Sequence, residues 1–480
     1  MQGNWTTLDS VIMILYFIGM IFVGVYYSKK VKTTDDFLVA GRNVGFFRLT
    51  STITAGDMGG GFVIGTVGLA YVSGFGATWL TFSSLLGAFA VAFFLAPRIK
   101  PLADRLKFIS QPEFLNYRYD KRARLIGAIM VTFAGITFAG TQIVAGAILI
   151  SVITGLPITV TTWIAGGIII AYTTLGGLGS VITTDVVQLL IITGGIYFIA
   201  VPIGLDKVGS FAALRDMVGS EFFKVGSVPA NTVIKWFLAI VPAWLMSMAT
   251  WQRIFASKNL KTVKKAYVTS GLLMWPVFAF FICTLGIIAA AIYPGLEREM
   301  ALATFITKAL PAGISGLLLT AFAAAVMSTG DNSIMCASAT ITNDIYRGFI
   351  KPEASDDDLI KTSRIVIIIC GVISIMIALY SPFVLNLMLY AYQFNSAMLW
   401  PVILGLLWKR ATAEAAFWSL LIGGIGSIVW AVMDSPFGWP PIYLAFPITL
   451  IMMVVISNIT RHSQDENIIE VETANQNTID

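Results

Sequence analysis

Long apolar segments, separated by short polar or charged breaks, recur from near the N-terminus almost to the C-terminus. Because a helix of about 20 apolar residues can cross a bilayer, each segment predicts a transmembrane helix. The thirteen predicted spans cover residues 9–28, 45–71, 75–96, 124–153, 157–174, 180–203, 231–252, 267–293, 313–344, 365–381, 384–408, 413–433 and 439–458. The pattern therefore predicts an all-α membrane protein with about 13 transmembrane helices in a single domain, residues 1–460.

The chain changes character after the last apolar segment. Residues 461–480 are rich in Asn, Gln, Glu and Thr and have no apolar period. Such a segment cannot bury enough apolar surface to offset its conformational entropy. We expect a disordered polar tail there, on the cytoplasmic side of the membrane.

The composition excludes an ordinary soluble protein and argues against an enzyme. Hydrophobic residues make up 57% of the 480 residues and charged residues 12%, whereas soluble domains carry about 25% charged residues. The chain has one histidine, His462 in the tail, and three cysteines, Cys283, Cys336 and Cys370, within apolar segments. A buried His base and a Cys/His metal cluster are therefore not expected, and the cysteines fit a packing role.

The Lys and Arg residues are distributed unequally between the two sides of the predicted membrane domain. If the N-terminus is outside, 25 of the 31 basic residues lie at cytoplasmic breaks and 6 at outer breaks. This is a positive-inside distribution. It predicts a multi-pass protein of the plasma membrane with an outer N-terminus and a cytoplasmic C-terminus. Arg253, directly after the span 231–252, belongs to the cytoplasmic group in this interpretation.

One predicted span combines a carboxylate with many glycines. Residues 54–71 contain Asp57 and six glycines, at positions 56, 59, 60, 61, 65 and 68. A carboxylate at membrane depth requires a counter-charge, a proton or a cation, and no basic residue is expected at the same depth. Clustered glycine weakens a helix and frees backbone carbonyls. The segment therefore predicts an ion site on a broken transmembrane helix.

A second segment supplies oxygen ligands of the same kind. Ser328 and Thr329 follow Ala325 by about one helical turn, so that two hydroxyls lie near one backbone carbonyl. Few, weakly charged oxygen ligands suit a monovalent cation better than a permanent Ca²⁺ site. Asp185 and Asp331 are further acids within apolar segments. The alternatives are protonated or hydrogen-bonded structural acids and close packing of small residues.

Five blocks of this sequence resemble the sodium:solute symporter family. They are TAGDMGGGFVIGTVGLAY at 54–71, QPEFLNYRYDKRAR at 111–124, YTTLGGLGSVITTDVVQ at 172–188, WQRIFASKN at 251–259 and AAAVMSTGDNSIMCASATITNDIY at 323–346. The resemblance implies sodium-coupled uptake of a small solute and the leucine-transporter fold. Spans two to six and seven to eleven would then form an inverted five-plus-five repeat, with broken first and sixth core helices.

The resemblance also implies the positions of the sodium sites. A sodium ion would be bound by the backbone carbonyls of Ala55, Met58 and Ala325 and by the hydroxyls of Ser328 and Thr329. An acid in the position of Asp57 is important for sodium coupling in the proline-transporting branch. A second sodium in some members implies a role for Asp185, Ser328, Asp331 and Asn332.

The family's solute positions correspond to residues at the membrane midplane of five core helices. They imply Gly60, Gly61, Phe62, Thr81, Ser84, Gln142, Trp244, Ser247, Gln393 and Asn395 as solute-binding residues. Each could equally be a packing residue. A small amino acid such as proline, or a monocarboxylate, is the expected solute. A sugar is less favoured, because span 75–96 has no acid or amide and offers hydroxyls such as those of Thr81, Ser83 and Ser84.

Two other interpretations remain open from the sequence. Asp57 or Asp185 could titrate and couple solute uptake to protons in place of sodium. A channel or a membrane sensor belongs to another class, although the sequence offers neither a filter-like repeat nor a soluble output domain. The expected partners are a small-molecule solute, Na⁺ and the lipid bilayer, with no nucleic acid. The oligomeric state is left open.

Overall fold

A computed structural model describes residues 6–29, 31–311, 313–380, 384–433, 435–439 and 441–462. Within these ranges the secondary structure is helical, apart from one isolated parallel bridge between Val44 and Ser257. The prediction of an all-α protein is therefore confirmed. The predicted disordered tail lies outside the described residues from position 463 onwards.

The described residues of the first half of the chain form eleven α-helices. They are α1 (Thr7–Ser28), α2 (Thr34–Val39), α3 (Phe46–Asp57), α4 (Gly60–Ser73), α5 (Thr78–Ala90), α6 (Ala96–Leu106), α7 (Gln111–Arg118), α8 (Lys121–Thr154), α9 (Ile158–Gly195), α10 (Val201–Val208) and α11 (Phe211–Val218). The π-helical turns Val91–Leu95 and Ile196–Ala200 continue α5 into α6 and α9 into α10.

Eleven more lie in the described part of the second half. They are α12 (Ala230–Met246), α13 (Met248–Ala256), α14 (Leu260–Leu272), α15 (Ala279–Ile292), α16 (Ala301–Ala309), α17 (Ile314–Thr340), α18 (Asp356–Tyr380), α19 (Val384–Ser396), α20 (Leu399–Leu407), α21 (Ala413–Val432) and α22 (Ile442–Ile459). The π-helical segments Leu273–Phe278 and Ile341–Ile350 follow α14 and α17.

Ten helical stretches in the described ranges are long and apolar enough to cross a membrane. One of them, Phe62–Leu106, has 45 residues, about twice the length that one crossing needs. Gly74 interrupts it with a φ of 58°. Gly177, with a φ of 62°, likewise interrupts α9, whose first part, Ile158–Ala171, is a shorter apolar helix. The coarse prediction of a polytopic helical protein holds, and the count of 13 stays a prediction.

Two membrane helices are interrupted near their middle. Between α3 and α4, Met58 and Gly59 have ψ angles of 21° and 158°. Between α12 and α13, Ser247 has a ψ of 125°. Because a helix end leaves backbone groups without intrahelical partners, each break exposes carbonyl and amide groups inside the protein.

The two interrupted helices are joined at the end where α3 begins and α13 finishes. The amide of Val44 donates to the carbonyl of Ala256 over 2.9 Å, and the amide of Lys258 donates to the carbonyl of Val44 over 3.1 Å. The Lys100 ammonium adds a bond of 2.7 Å to the Ser257 carbonyl. These bonds hold the two half-helices together on the side that the charge distribution predicts to be cytoplasmic.

Candidate ion and solute site

The break between α3 and α4 packs directly against α17 through two glycines. A Cβ atom on Gly59 would lie 2.3 Å from the Thr329 hydroxyl oxygen, and one on Gly60 would lie 2.0 Å from a Val326 methyl carbon. Any other residue at these positions would push the two helices apart. The glycine cluster therefore allows a close approach of backbone to helix at the break.

This close approach brings hydroxyl and carbonyl oxygens together. The Ser328 hydroxyl donates to the Ala325 carbonyl over 3.3 Å. The Thr329 hydroxyl contacts both the Ala325 carbonyl at 3.2 Å and the Gly56 carbonyl at 3.1 Å. The five residues of the predicted first sodium site are all at most 2% exposed: Ala55, Met58, Ala325, Ser328 and Thr329. Oxygen ligands of this type, with little formal charge, are chemically suited to a monovalent cation.

Asp185 on α9 lies next to α3 and α17. Its carboxylate is fully buried and accepts a short hydrogen bond from the hydroxyl of Thr52 on α3. Its second oxygen, Oδ1, has no hydrogen-bond partner among the described residues. Ser328 is also a close neighbour of this carboxyl group. Asp185 therefore lies within reach of one ligand of the predicted first sodium site.

The remaining predicted ion residues are on α3 and α17. Asp57 is the last residue of α3, with Ser84 of α5 as a near neighbour, and its Oδ2 atom is buried with no hydrogen-bond partner in the described part of the chain. Asp331 is fully buried and Asn332 is 4% exposed. Both follow the hydroxyl pair on α17 by less than one helical turn.

The expectation that no basic residue lies near these acids is wrong. Arg253 is only 4% exposed, because α13 continues inside the protein to Ala256. Its Nη2 atom donates to the Thr52 carbonyl over 2.9 Å. The Asn332 carboxamide, in the orientation that satisfies its neighbours, accepts from Nη2 at 2.7 Å and Nη1 at 2.9 Å. The sequence placed Arg253 on the cytoplasmic surface because it follows an apolar run.

A cavity lies between the two breaks and is bordered by α3, α8, α12, α13, α14, α17 and α19. Its lining residues are Ile53, Gly56, Asp57, Val131, Ala134, Gly135, Phe138, Ala243, Trp244, Ser247, Met248, Ala249, Thr250, Arg253, Tyr267, Thr329, Asn332, Ser333, Cys336, Tyr392 and Asn395. Asp57 and Arg253 are the charged residues in this lining. Thr329, a predicted ion ligand, also borders the cavity, so the two candidate sites are adjacent.

Three of the ten predicted solute residues line this cavity: Trp244, Ser247 and Asn395. The other seven lie elsewhere in the structure. Gly60 packs against Val326, Thr81 donates to its own helix at the Thr78 carbonyl, and Gln393 accepts from the Ile442 amide. Phe62, Ser84 and Gln142 are buried in the helix bundle, and Gly61 is in the first turn of α4.

Four charged or aromatic residues of the cavity lining were not found by the sequence analysis. Arg253 was assigned to the surface, and the aromatic residues Phe138, Tyr267 and Tyr392 were treated as part of the apolar spans. The Phe138 and Tyr392 rings stack with centroids 5.2 Å apart, and Trp244 meets Tyr267 edge to face at 6.2 Å. A polar or aromatic residue in an apolar run gives no sign of which way it faces, so only helix packing could identify them.

Paired interrupted membrane helices, with an oxygen-lined site and a cavity where they meet, define a secondary transporter. Comparison with known proteins identifies the family. The sodium:solute symporter family model matches residues 37–423, which is most of the chain. The chain belongs to the sodium:solute symporter family and is a sodium-coupled solute symporter.

Individual relatives cover nearly the whole chain at low identity. The chain is 25% identical to a sodium/proline symporter of Haemophilus influenzae, over 92% of this chain and 94% of that protein. It is also 25% identical to the osmoregulated proline transporter OpuE of Bacillus subtilis, over 93% and 94%. A solved Na⁺-coupled sialic acid symporter in a substrate-bound outward-open state has the same fold, with a TM-score of 0.81, 23% identity and coverage of 96% and 99%.

Proposed function

We propose that this protein imports a small amino-acid-type solute into the cell, such as proline, by sodium-coupled alternating access. A monocarboxylate is the second candidate solute. The observation that carries the proposal is the contact between α17 and the end of α3, where the Thr329 hydroxyl lies 3.1 Å from the Gly56 carbonyl. The names of the proline-transporting relatives support the choice of solute.

The first sodium ion would bind at this contact. Its ligands would be the carbonyls of Ala55, Met58 and Ala325 together with the hydroxyls of Ser328 and Thr329. Burial of all five residues supports this assignment, because a dehydrated ion needs protein oxygens in place of water. Sodium would then link the interrupted helix to α17 and favour an outward-open state.

We also propose a second cation site near Asp185, for which fewer ligands are in place. Asp185 has one oxygen without a described partner and lies next to Ser328. Asp331 and Asn332 would complete the site, but the Asn332 carboxamide is engaged by the Arg253 guanidinium. A second sodium would therefore require Asn332 to exchange that partner for the ion.

The membrane arrangement we propose has thirteen crossings. Three crossings would add to the ten long apolar stretches. Gly74 would divide the stretch Phe62–Leu106 into two crossings, the shorter helix Ile158–Ala171 would be another, and the pair α19 and α20 would together form the last. The interruptions after α3 and α12 support an inverted five-plus-five repeat starting from these helices. The charge distribution supports an outer N-terminus and a cytoplasmic C-terminus, and residues 1–460 would form one transporter domain.

Coupling would follow because sodium and the solute favour the same conformations of the protein. Sodium and solute would each stabilise the outward-open and occluded forms, so that each raises the affinity for the other by the same factor. Inward release of sodium would be driven by its gradient and by the membrane potential, which contributes roughly 2.3 kcal/mol per charge at 100 mV. No covalent chemistry is required.

Uptake by purified protein in proteoliposomes tests this function. We expect labelled proline, or another solute found in a screen of amino acids and carboxylates, to accumulate against its gradient only with an inward sodium gradient. Replacing Na⁺ by choline at constant pH should abolish accumulation. Undiminished uptake in choline with an imposed proton gradient would instead support proton coupling through Asp57 or Asp185.

A further inference from the structure

We infer that the cavity is built for a zwitterion, with Asp57 holding the ammonium group of the solute and the Arg253 side of the cavity holding its carboxylate. This inference rests on the proposed solute transport and specifies its substrate class. It excludes monocarboxylates and uncharged sugars as the preferred solute.

The charge of the cavity wall is the first observation. Among the lining residues, Asp57 is the acid and Arg253 is the base, and the rest are apolar or neutral polar. The ion pairs described in the structure do not join these two residues, which would require an approach within 4 Å. A dipolar ligand can therefore pair with both charges without breaking an ion pair described in the protein.

Both charged groups keep hydrogen-bonding capacity that the protein does not use. The Oδ2 atom of Asp57 and the Nε atom of Arg253 are buried and have no described hydrogen-bond partner. Leaving a charged donor or acceptor unsatisfied inside a protein is costly. The rest of the guanidinium is held in place by Thr52, Ala249 and Asn332, so the positive group is rigidly positioned at the wall.

The two charged groups flank a single glycine. A Cβ atom on Gly56 would lie 2.7 Å from Nη2 of Arg253, and Asp57 is the next residue along the chain. The guanidinium therefore lies against the backbone that carries the carboxylate.

The remaining wall limits the size and polarity of the solute. Phe138, Trp244, Tyr267 and Tyr392 contribute aromatic rings on the α8, α12, α14 and α19 sides. Such rings favour a compact apolar side chain and add attraction for an ammonium group close to a ring face. A monocarboxylate would leave Asp57 without a cationic partner. A sugar would leave both Asp57 and Arg253 without a partner of opposite charge.

Paired isosteric solutes test the inference directly. Sodium-driven currents would be recorded from proteoliposomes containing the full-length protein, using L-proline, cyclopentanecarboxylate and pyrrolidine, and in parallel L-alanine, propionate and ethylamine. The twenty amino acids, glycine betaine and glucose complete the panel. We expect sodium-dependent responses to at least one zwitterion, with its desamino and decarboxylated analogues at least tenfold weaker.

The outcomes separate this inference from the proposed function. A sodium-dependent response to a monocarboxylate or to glucose that equals the best zwitterion would overturn the inference and leave sodium symport intact. A zwitterion response that persists in choline would overturn sodium coupling and leave the inference intact. No response to any zwitterion from protein that is monodisperse and stabilised by Na⁺ would count against the inference.

Variants provide a second measurement that does not depend on total activity. At saturating Na⁺, Asp57→Asn should lower the preference for the zwitterion over its desamino analogue at least tenfold in competition binding. Arg253→Gln should lower the preference over the decarboxylated analogue in the same way. Asp216→Asn, on the exposed face of α11, is the matched control and should keep both preferences. Unchanged preference ratios in folded Asp57→Asn and Arg253→Gln proteins would refute the assignment.

Discussion

The two interrupted helices use their breaks differently. The break at Met58 and Gly59 is buried and packs on α17 with no room for a side chain at Gly59. The break at Ser247 has no glycine and borders the cavity, with Trp244 before it and Arg253 at the end of the following half-helix. The tight break at Met58 and Gly59 therefore suits a small dehydrated ion, whereas the open break at Ser247 suits a solute.

The largest effect is expected from the hydroxyls that face the first break. Ser328→Ala together with Thr329→Ala would remove two proposed oxygen ligands, and at about 1–3 kcal/mol each the sodium concentration for half-maximal uptake should rise roughly 30-fold or more. Sodium activation curves measure this. Thr340→Ala, which removes a hydroxyl bonded only within α17, should leave the curve unchanged. An unaltered curve in the double variant would remove the proposed ion site.

Sodium itself should act unequally on the two breaks. A ligand stabilises the state it binds, by about 2.7 kcal/mol at 100 times its dissociation constant. We expect Na⁺ to slow amide hydrogen exchange at residues 55–60 and 325–329 more than at residues 244–250, while adding solute should then protect the second region. Hydrogen-exchange mass spectrometry in Na⁺ and in choline measures this. Equal protection of both regions by Na⁺ alone would contradict the division of roles.

The tightness of the first break can be tested by adding one methyl group. Gly60→Ala should destabilise the protein by about 1–3 kcal/mol, because the new Cβ would overlap a Val326 methyl carbon. Combining it with Val326→Ala should recover part of the loss. Gly194→Ala is the control, since a Cβ there meets no atom within 4 Å. Thermal unfolding in detergent measures the difference, and equal stability of the two alanine variants would argue against close packing at the break.

The smallest effect is expected at the second break. The Ser247 side chain makes no capping hydrogen bond to α13, so Ser247→Ala should change stability by less than about 0.5 kcal/mol. Sodium activation should be unchanged, and the solute KM should change at most about threefold. A large shift in sodium activation would mean that the second break also contributes to the ion site.

The sequence was most informative where the physical signal is local. Apolar length predicted the helices, and the glycine-rich stretch around Asp57 predicted the first break, because both depend on neighbouring residues alone. The hydroxyls of Ser328 and Thr329 were also identified from helical spacing, and the structure brings the Thr329 hydroxyl to within 3.1 Å of the Gly56 carbonyl at the break. The second break was expected from family resemblance, since Ser247 carries no comparable local signal.

Tertiary packing decided what the sequence left open or assigned wrongly. By itself the sequence determined a helical membrane transporter with acids at depth and one glycine-weakened helix. Only the folded structure put Arg253 among those acids and gathered Phe138, Tyr267 and Tyr392 around one cavity, because the direction in which a side chain faces depends on helices distant in sequence. The charge and shape offered to the solute are therefore properties of the packed bundle.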